Sequence, residues 1–197
     1  MADETNLEEI KKQCIFCHIV AGRVASKKIF EDDKVTAILD INPANPGHIL
    51  LMPKEHYAIM PQIPDDMIGH LGMISKALSA ALLRAFKSHG TTIFVANGVA
   101  AGQRAQHFML HVIPRMENDG IGIELPQRKI NDDKLTEIKK ALLPSIKNAL
   151  GNAAEEITEP KKEEKSGNNS KEQKKEDKKD DKRKGTDLDE IARLLGT

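Results

Sequence analysis

Two groups of residues have the types and spacing that chemistry requires. The first is the run His107-Phe108-Met109-Leu110-His111. In extended backbone alternate side chains point the same way, so His107, Met109 and His111 share one face. Phe108, Leu110 and Val112 share the other, which is the core side. Like-facing neighbours stand about 6.5–7 Å apart. Two imidazoles on an open face, beside the small-residue loop 97–102 (NGVAAG), form a candidate site. Hydrogen-bonded surface histidines are the other reading of the same pattern. The second group is Cys14-Ile15-Phe16-Cys17 with His18 behind it, and it holds both cysteines of the chain. In a reducing compartment this spacing reads as metal or redox chemistry before it reads as a structural disulfide. The CxxCH spelling matches a haem-attachment signature, but that reading requires export. A thioredoxin-like pair requires a βαβ setting that the flanking sequence lacks.

These groups must be positioned by regular elements. Residues 35–40 (VTAILD), 48–52 (HILLM), 92–96 (TIFVA) and 107–113 (HFMLHVI) read as strands. Residues 42–47 (NPANPG) are a loop by their prolines and glycine, and Pro53 and Pro114 close the strands before them. Pro64-Asp65-Asp66 opens a helix whose apolar residues Ile68, Leu71, Ile74, Leu78, Leu82 and Phe86 keep one helical face. Asp65 or Asp66 is the expected cap, and Gly90 the expected left-handed exit. Residues 132–143 read as a further helix that Pro144 kinks or ends. Short strands around one long helix fit an α+β antiparallel sheet.

Composition narrows the function. The 197 residues carry 30 Lys+Arg and 30 Asp+Glu, which argues against nucleic-acid binding through bulk electrostatics. One Tyr, five Phe and no Trp argue against a base-stacking RNA platform. No run approaches the roughly 20 apolar residues of a membrane span. Residues 1–13 are acidic and polar, a leader or short helix rather than a secretory signal, so the expected compartment is the cytoplasm. Residues 155–185 hold 11 Lys/Arg and 10 Asp/Glu, too few apolar groups to offset chain entropy. The layout expected is a leader (1–13), a domain with a helical extension (14–150), a charged disordered linker (151–186) and a short amphipathic helix (187–197). Leu188, Ile191, Leu194 and Leu195 share a face of that last helix. About ten residues cannot hold a lone helix in water, so 187–195 should fold against a protein partner, or else the tail serves solubility.

The segment from Ala101-Gly102-Gln103-Arg104 through His107-Phe108-Met109-Leu110-His111 to Pro114-Arg115 resembles the signature of the histidine-triad (HIT) family. Further blocks follow the family's order: Cys14-Ile15-Phe16-Cys17, Glu31-Asp32, 37–43 (AILDINP), Pro46-Gly47-His48 and Pro53-Lys54-Glu55-His56. The resemblance covers residues 14–115. It implies a five-stranded antiparallel sheet with two main helices, usually paired into a homodimer with a continuous sheet. It implies a purine nucleotide or nucleotide derivative as ligand. Phe16, Ile19, Ile38 and Ile41 would line the base pocket, and Asp40 would bind the ribose hydroxyls. Asn97, Gly102, Gln103 and His111 would face the phosphates, with His48 in support. It also implies a structural zinc held by Cys14, Cys17, His56 and His107, a closed Cys2His2 set.

One departure stands out. The family's middle histidine attacks the α-phosphate, and here that position is Met109. A thioether attacks phosphorus poorly and has no proton to manage. His111 is the remaining catalytic candidate, one pleat further along. Three functions therefore follow from the resemblance: a nucleotide-binding module without its nucleophile, a hydrolase of phosphoramidates or dinucleoside polyphosphates working through His111, or an interaction protein presenting the C-terminal helix. A guanidinium at Arg104, where many relatives carry a small hydroxyl residue, can grip a phosphate.

Overall fold

The computed structural model describes residues 4–122 and 125–151. The chain divides into one unit ending at Pro126 and another beginning at Gln127. The expected linker and the 187–197 helix lie outside the described residues.

The first unit opens with α1 (Glu4–Gln13) and α2 (Ile15–Val20). Five strands follow: β1 (Lys28–Glu31), β2 (Val35–Leu39), β3 (Ile49–Pro53), β4 (Gly90–Phe94) and β5 (Leu110–Arg115). They form one sheet in the order β1-β2-β3-β5-β4, with every pair antiparallel. The long helix α3 (Asp65–Phe86) packs on one face. The second unit is described by α4 (Asp132–Leu150), whose Asn131 side chain accepts the Lys134 N–H at 2.9 Å as a cap. Pro144 sits inside α4 without ending it.

Strand alternation sorts the apolar residues into two layers. Val35, Ala37, Ile49, Leu51, Phe108, Leu110 and Val112 meet Leu71 and Leu82 of α3 in the main core. Ile38, Leu50 and Met52 point the other way and are covered by Phe16, Ile19 and Val20 of α2, together with Met109. Of the predicted α3 stripe, Ile68, Leu71, Ile74, Leu78 and Leu82 join the core. Phe86 lies 48% exposed at the helix end, against the 40–48 loop.

The expected helix ends are corrected. Pro64 precedes the first turn and offers no side-chain acceptor, so Asp65 and Asp66 act on the helix dipole instead. The left-handed exit is Lys87, with φ 51°, because Gly90 is already paired with Arg115 in the sheet. β1 was not legible as a strand, since KIFE is short and three of its residues are exposed. Asp32 closes the β1–β2 turn by accepting the Lys34 and Val35 N–H groups at 2.8 and 2.7 Å.

The 40–48 loop carries site residues at both ends and is tied down twice. Gly47 has φ +94°, and a Cβ there would meet the Phe86 ring at 3.1 Å. Asn45 donates from Nδ2 to the Pro114 carbonyl and to Asp119, both at 2.9 Å. Asp119 in turn takes Arg115 through Nε at 2.7 Å and Nη2 at 2.9 Å. The Arg115 guanidinium, the Ile121 and Met116 N–H groups and Asn45 hold the Asp119 carboxyl well below the usual carboxylate range. A carboxylate depressed in the fold stabilises it above its unfolded pKa of about 3.9, and the gain is lost as pH falls through the folded value. The Asp119→Asn variant should therefore melt below wild type at neutral pH, and the gap should narrow as the pH drops below about 4. A gap in melting temperature that stays constant with pH would refute this.

Candidate functional site

Cys14 precedes α2 and Cys17 lies in its first turn, so the two thiols face the same way. His56 follows β3, and His107 precedes β5. The four ligand atoms lie within 4.8 Å of one another. The Cys14 and Cys17 sulfurs stand 3.5 and 3.6 Å from Nδ1 of His107, and Cys17 is 3.3 Å from Nδ1 of His56. Nε2 of His107 donates to the Pro53 carbonyl at 3.0 Å, which leaves the Nδ1 lone pair facing the sulfurs. Burial pushes His107 down to about 4, and His56 is lowered by the same cause. Both rings are therefore neutral and able to ligate at pH 7. Burial and the neighbouring Cys14 push the Cys17 thiol up to about 12, so a cation is needed to ionise it. Zinc bonds of about 2.3 Å to sulfur and 2.0–2.1 Å to nitrogen give a tetrahedral S···N edge of about 3.5 Å. The observed spacings fit that edge. Lys11 of α1 pairs with Glu55 at 2.6 Å beside the cluster.

The strand expected from His107 begins only at Leu110. The Phe108 N–H turns away to the Tyr57 carbonyl at 2.6 Å, and the His107 ring is held by Pro53. Pairing with β3 thus stops at Leu110–Leu51. The side chains still alternate, but His107 is 1% exposed and belongs to the metal-capable group, not to an open face.

On the sheet face opposite α3 lies a cleft of about 440 Å³. Phe16, Asp40, Leu50, Phe94, Gly102, Met109 and His111 are among its walls. Met109 is half-buried, lining this cleft while packing on the Ile38, Leu50 and Met52 cluster. His48 lies 5% exposed behind His111, its Nε2 at 3.0 Å from Nδ1 of His111. Nδ1 of His48 accepts the Ala44 N–H at 3.2 Å. A backbone N–H can only donate, so the His48 proton sits on Nε2 and is given to His111. His111 then carries its own proton on Nε2. Burial holds both rings below the usual histidine range, which keeps them neutral. Asp40 uses Oδ1 for the Asn42 N–H at 2.9 Å, and its Oδ2 lies 3.4 Å from Nδ1 of His48.

The other residues named from sequence divide. Phe16, Asp40, Gly102, Gln103 and His111 line the cleft, while Ile19, Ile38, Ile41 and Asn97 do not. Ile19 and Ile38 belong to the apolar layer beneath α2, and Ile41 is 89% exposed. Asn97 accepts the Met60 N–H through Oδ1 at 3.0 Å. Gln103 is a loop brace: Oε1 accepts the Gly98 N–H at 2.6 Å, and Nε2 donates to the Ala58 and Ala105 carbonyls at 2.7 and 2.8 Å. With its amide committed, Gln103 offers no free donor to a phosphate. Phe94 was missed; it stands opposite His111 in the β4–β5 register, with ring centroids 5.8 Å apart. Its signal was the predicted strand 92–96, but only strand pairing chooses its neighbour. His18, His70 and His89 lie outside both metal-capable groups of the described residues: His18 bonds the Lys12 carbonyl, His70 bonds Asp32, and His89 stands 3.6 Å from Glu117.

The profile of the HIT domain matches residues 21–118. An uncharacterized HIT-like protein of Methanocaldococcus jannaschii is 39% identical over 129 residues, covering 64% of this chain and 98% of that one. An adenosine 5′-monophosphoramidase of Saccharomyces cerevisiae is 34% identical over 137 residues, 69% of this chain and 84% of that one. Among solved structures, a Zn-bound histidine triad family protein from Mycobacterium smegmatis matches with a TM-score of 0.55 and 28% identity, over 71% of this chain and 99% of that one. The five-stranded antiparallel sheet, the order of its motifs and these likenesses together mean that the chain belongs to the HIT family.

Proposed function

We propose that this HIT domain binds a nucleotide in the cleft and holds it without attacking its phosphorus, while a zinc ion fastens its N-terminal segment to the sheet. The nucleotide class is supported by the yeast relative named for adenosine 5′-monophosphoramidate chemistry. The groups in the cleft match such a ligand. Asp40 has an oxygen free of hydrogen bonds among the described residues and would accept ribose hydroxyls. Phe16 and Leu50 supply apolar wall for a base. His111 would donate its Nε2 proton to a phosphate oxygen.

The observation that carries this reading is the pair Met109 and His111. Met109 stands, by resemblance, at the family's nucleophile position and has no nitrogen. His111 holds a proton, not a lone pair, on the ring nitrogen that His48 leaves free. A second reading rests on Asp40 lying 3.4 Å from Nδ1 of His48. Were the His48 proton instead on Nδ1 and donated to Asp40, Nε2 of His48 would accept from Nδ1 of His111, and Nε2 of His111 would carry a lone pair able to attack an α-phosphate.

Calorimetry should show one AMP bound per chain, with no turnover of an adenosine 5′-phosphoramidate. The Met109→His variant should raise turnover by at least about a hundredfold, the low end of what a positioned catalytic group contributes. Wild-type turnover lost in His111→Ala would favour the second reading. A folded Met109→His variant with no gain would mean that position 109 does not face the reacting phosphorus.

Zinc, when bound, would cross-link α2 to the ends of β3 and β5 and keep the thiols ionised. The Zn-bound relative and the fit of Cys14, Cys17, His56 and His107 support this. Protein purified without added metal should hold one zinc per chain. Chelation should lower the melting temperature by about 10 °C, as loss of a structural ion costs several kcal/mol. Less than half an equivalent of metal would overturn the assignment.

The resemblance also supports a homodimer through β4. That strand is an edge of the sheet, its Ile93 is 49% exposed, and Leu83 and Phe86 of α3 are exposed nearby in sequence. Sedimentation equilibrium should give twice the chain mass, and Ile93→Lys should shift it toward the monomer. A wild-type monomer at micromolar concentration would exclude this pairing.

A further inference from the structure

Arg104 has no role in the binding mode above, yet it lines the proposed nucleotide cleft and also a second cavity of about 350 Å³. The second cavity is bounded by Ile10, Gln13, Ile15, His56 and Gln106 among others. The two cavities share Phe16, Arg104 and Ala105, so Arg104 stands at their junction.

The charges around the cleft give that position meaning. Among the described residues along its walls, Asp40 is the one anionic side chain and Arg104 the one permanently cationic side chain. His48 and His111 are held neutral by burial. Asn97 and Gln103, the other polar groups near the loop, have their side-chain oxygens committed to backbone N–H groups. Arg104 itself makes no hydrogen bond or ion pair with any described residue. A ligand with ribose at Asp40 would therefore meet its only fixed positive charge at Arg104, which also borders the second cavity while Asp40 does not. Neither Asp40 nor His111 lines the second cavity that Arg104 borders, so a single phosphate beside His111 need not use the guanidinium, and a second phosphate joined to it would give the guanidinium its anion. Guanidinium is suited to a terminal phosphate because it can donate two parallel hydrogen bonds to two oxygens.

We propose that Arg104 reads a second phosphate, so that this cleft selects nucleoside diphosphates over monophosphates, with the adjoining cavity as room beyond the distal phosphate. The inference rests on the nucleotide reading of the cleft and extends it. Arg104 is a specificity residue here, with no part in bond breaking.

The test is calorimetric titration of the full chain with AMP and with ADP, without added magnesium so that phosphate charge is unmasked. Wild type should bind ADP about tenfold tighter than AMP, the equivalent of one charge-assisted contact. In Arg104→Gln the ratio of the two affinities should fall to about one, and Arg104→Lys should retain part of it, since the charge remains but the planar fork is lost. Zinc content and melting temperature of each variant control for folding. A wild-type ratio near one, or a ratio that survives Arg104→Gln, overturns the role of Arg104 and leaves the nucleotide reading intact. Absence of binding by either nucleotide overturns both.

Discussion

Alternation along residues 107–113 is the constraint on which the rest depends. In extended backbone consecutive side chains must leave on opposite sides. Phe108, Leu110 and Val112 are therefore pledged to the core beneath α3. His107, Met109 and His111 are left for the other side. There the first is drawn into the Cys/His group, the second packs beneath α2, and the third lines the cleft. A slip of one residue would bury the imidazoles under α3 and expose Phe108. The main core thus fixes the site's register as firmly as it fixes the fold.

The Cys/His group explains how a small N-terminal segment stays in place. α2 has only six residues and none of them is fully buried. So short a helix has little stability of its own. Its hold on the sheet comes from Phe16, Ile19 and Val20 over the second apolar layer, and from two sulfurs turned toward His56 and His107. Because Phe16 also lines the cleft, whatever secures Cys14 and Cys17 also positions one of the cleft's walls.

Electrostatically the cleft pairs two neutral histidines with one anionic and one cationic side chain among the described residues that line it. Burial keeps His48 and His111 neutral, and a backbone N–H decides how their protons are arranged. The direction of the His48–His111 hydrogen bond decides whether Nε2 of His111 carries a proton or a lone pair toward the cleft. Met109, beside His111 in the cleft, carries no side-chain nitrogen. Asp40 and Arg104 are the two fixed charges among the described residues that line the cleft.

Much of this was legible in the chain. The alternation of 107–113, the 35–40 and 48–52 strands, the α3 stripe and the Cys14/Cys17 spacing follow from local periodicity and residue type, which need no knowledge of distant contacts. The order of motifs pointed to the family, and residue type alone shows that Met109 lacks a nucleophilic nitrogen. Tertiary packing decided what local pattern could not. Gln103 and Asn97 look like free polar groups in sequence, but backbone donors at Gly98 and Met60 claim them. Gly90 looks like a helix exit, but its pairing with Arg115 moves the exit to Lys87. Phe94 meets His111, and Arg104 comes to the junction of two cavities, only because strands and loops far apart in sequence converge. Residue type sets what a side chain can do; which neighbour claims its hydrogen bonds is settled only when the sheet closes.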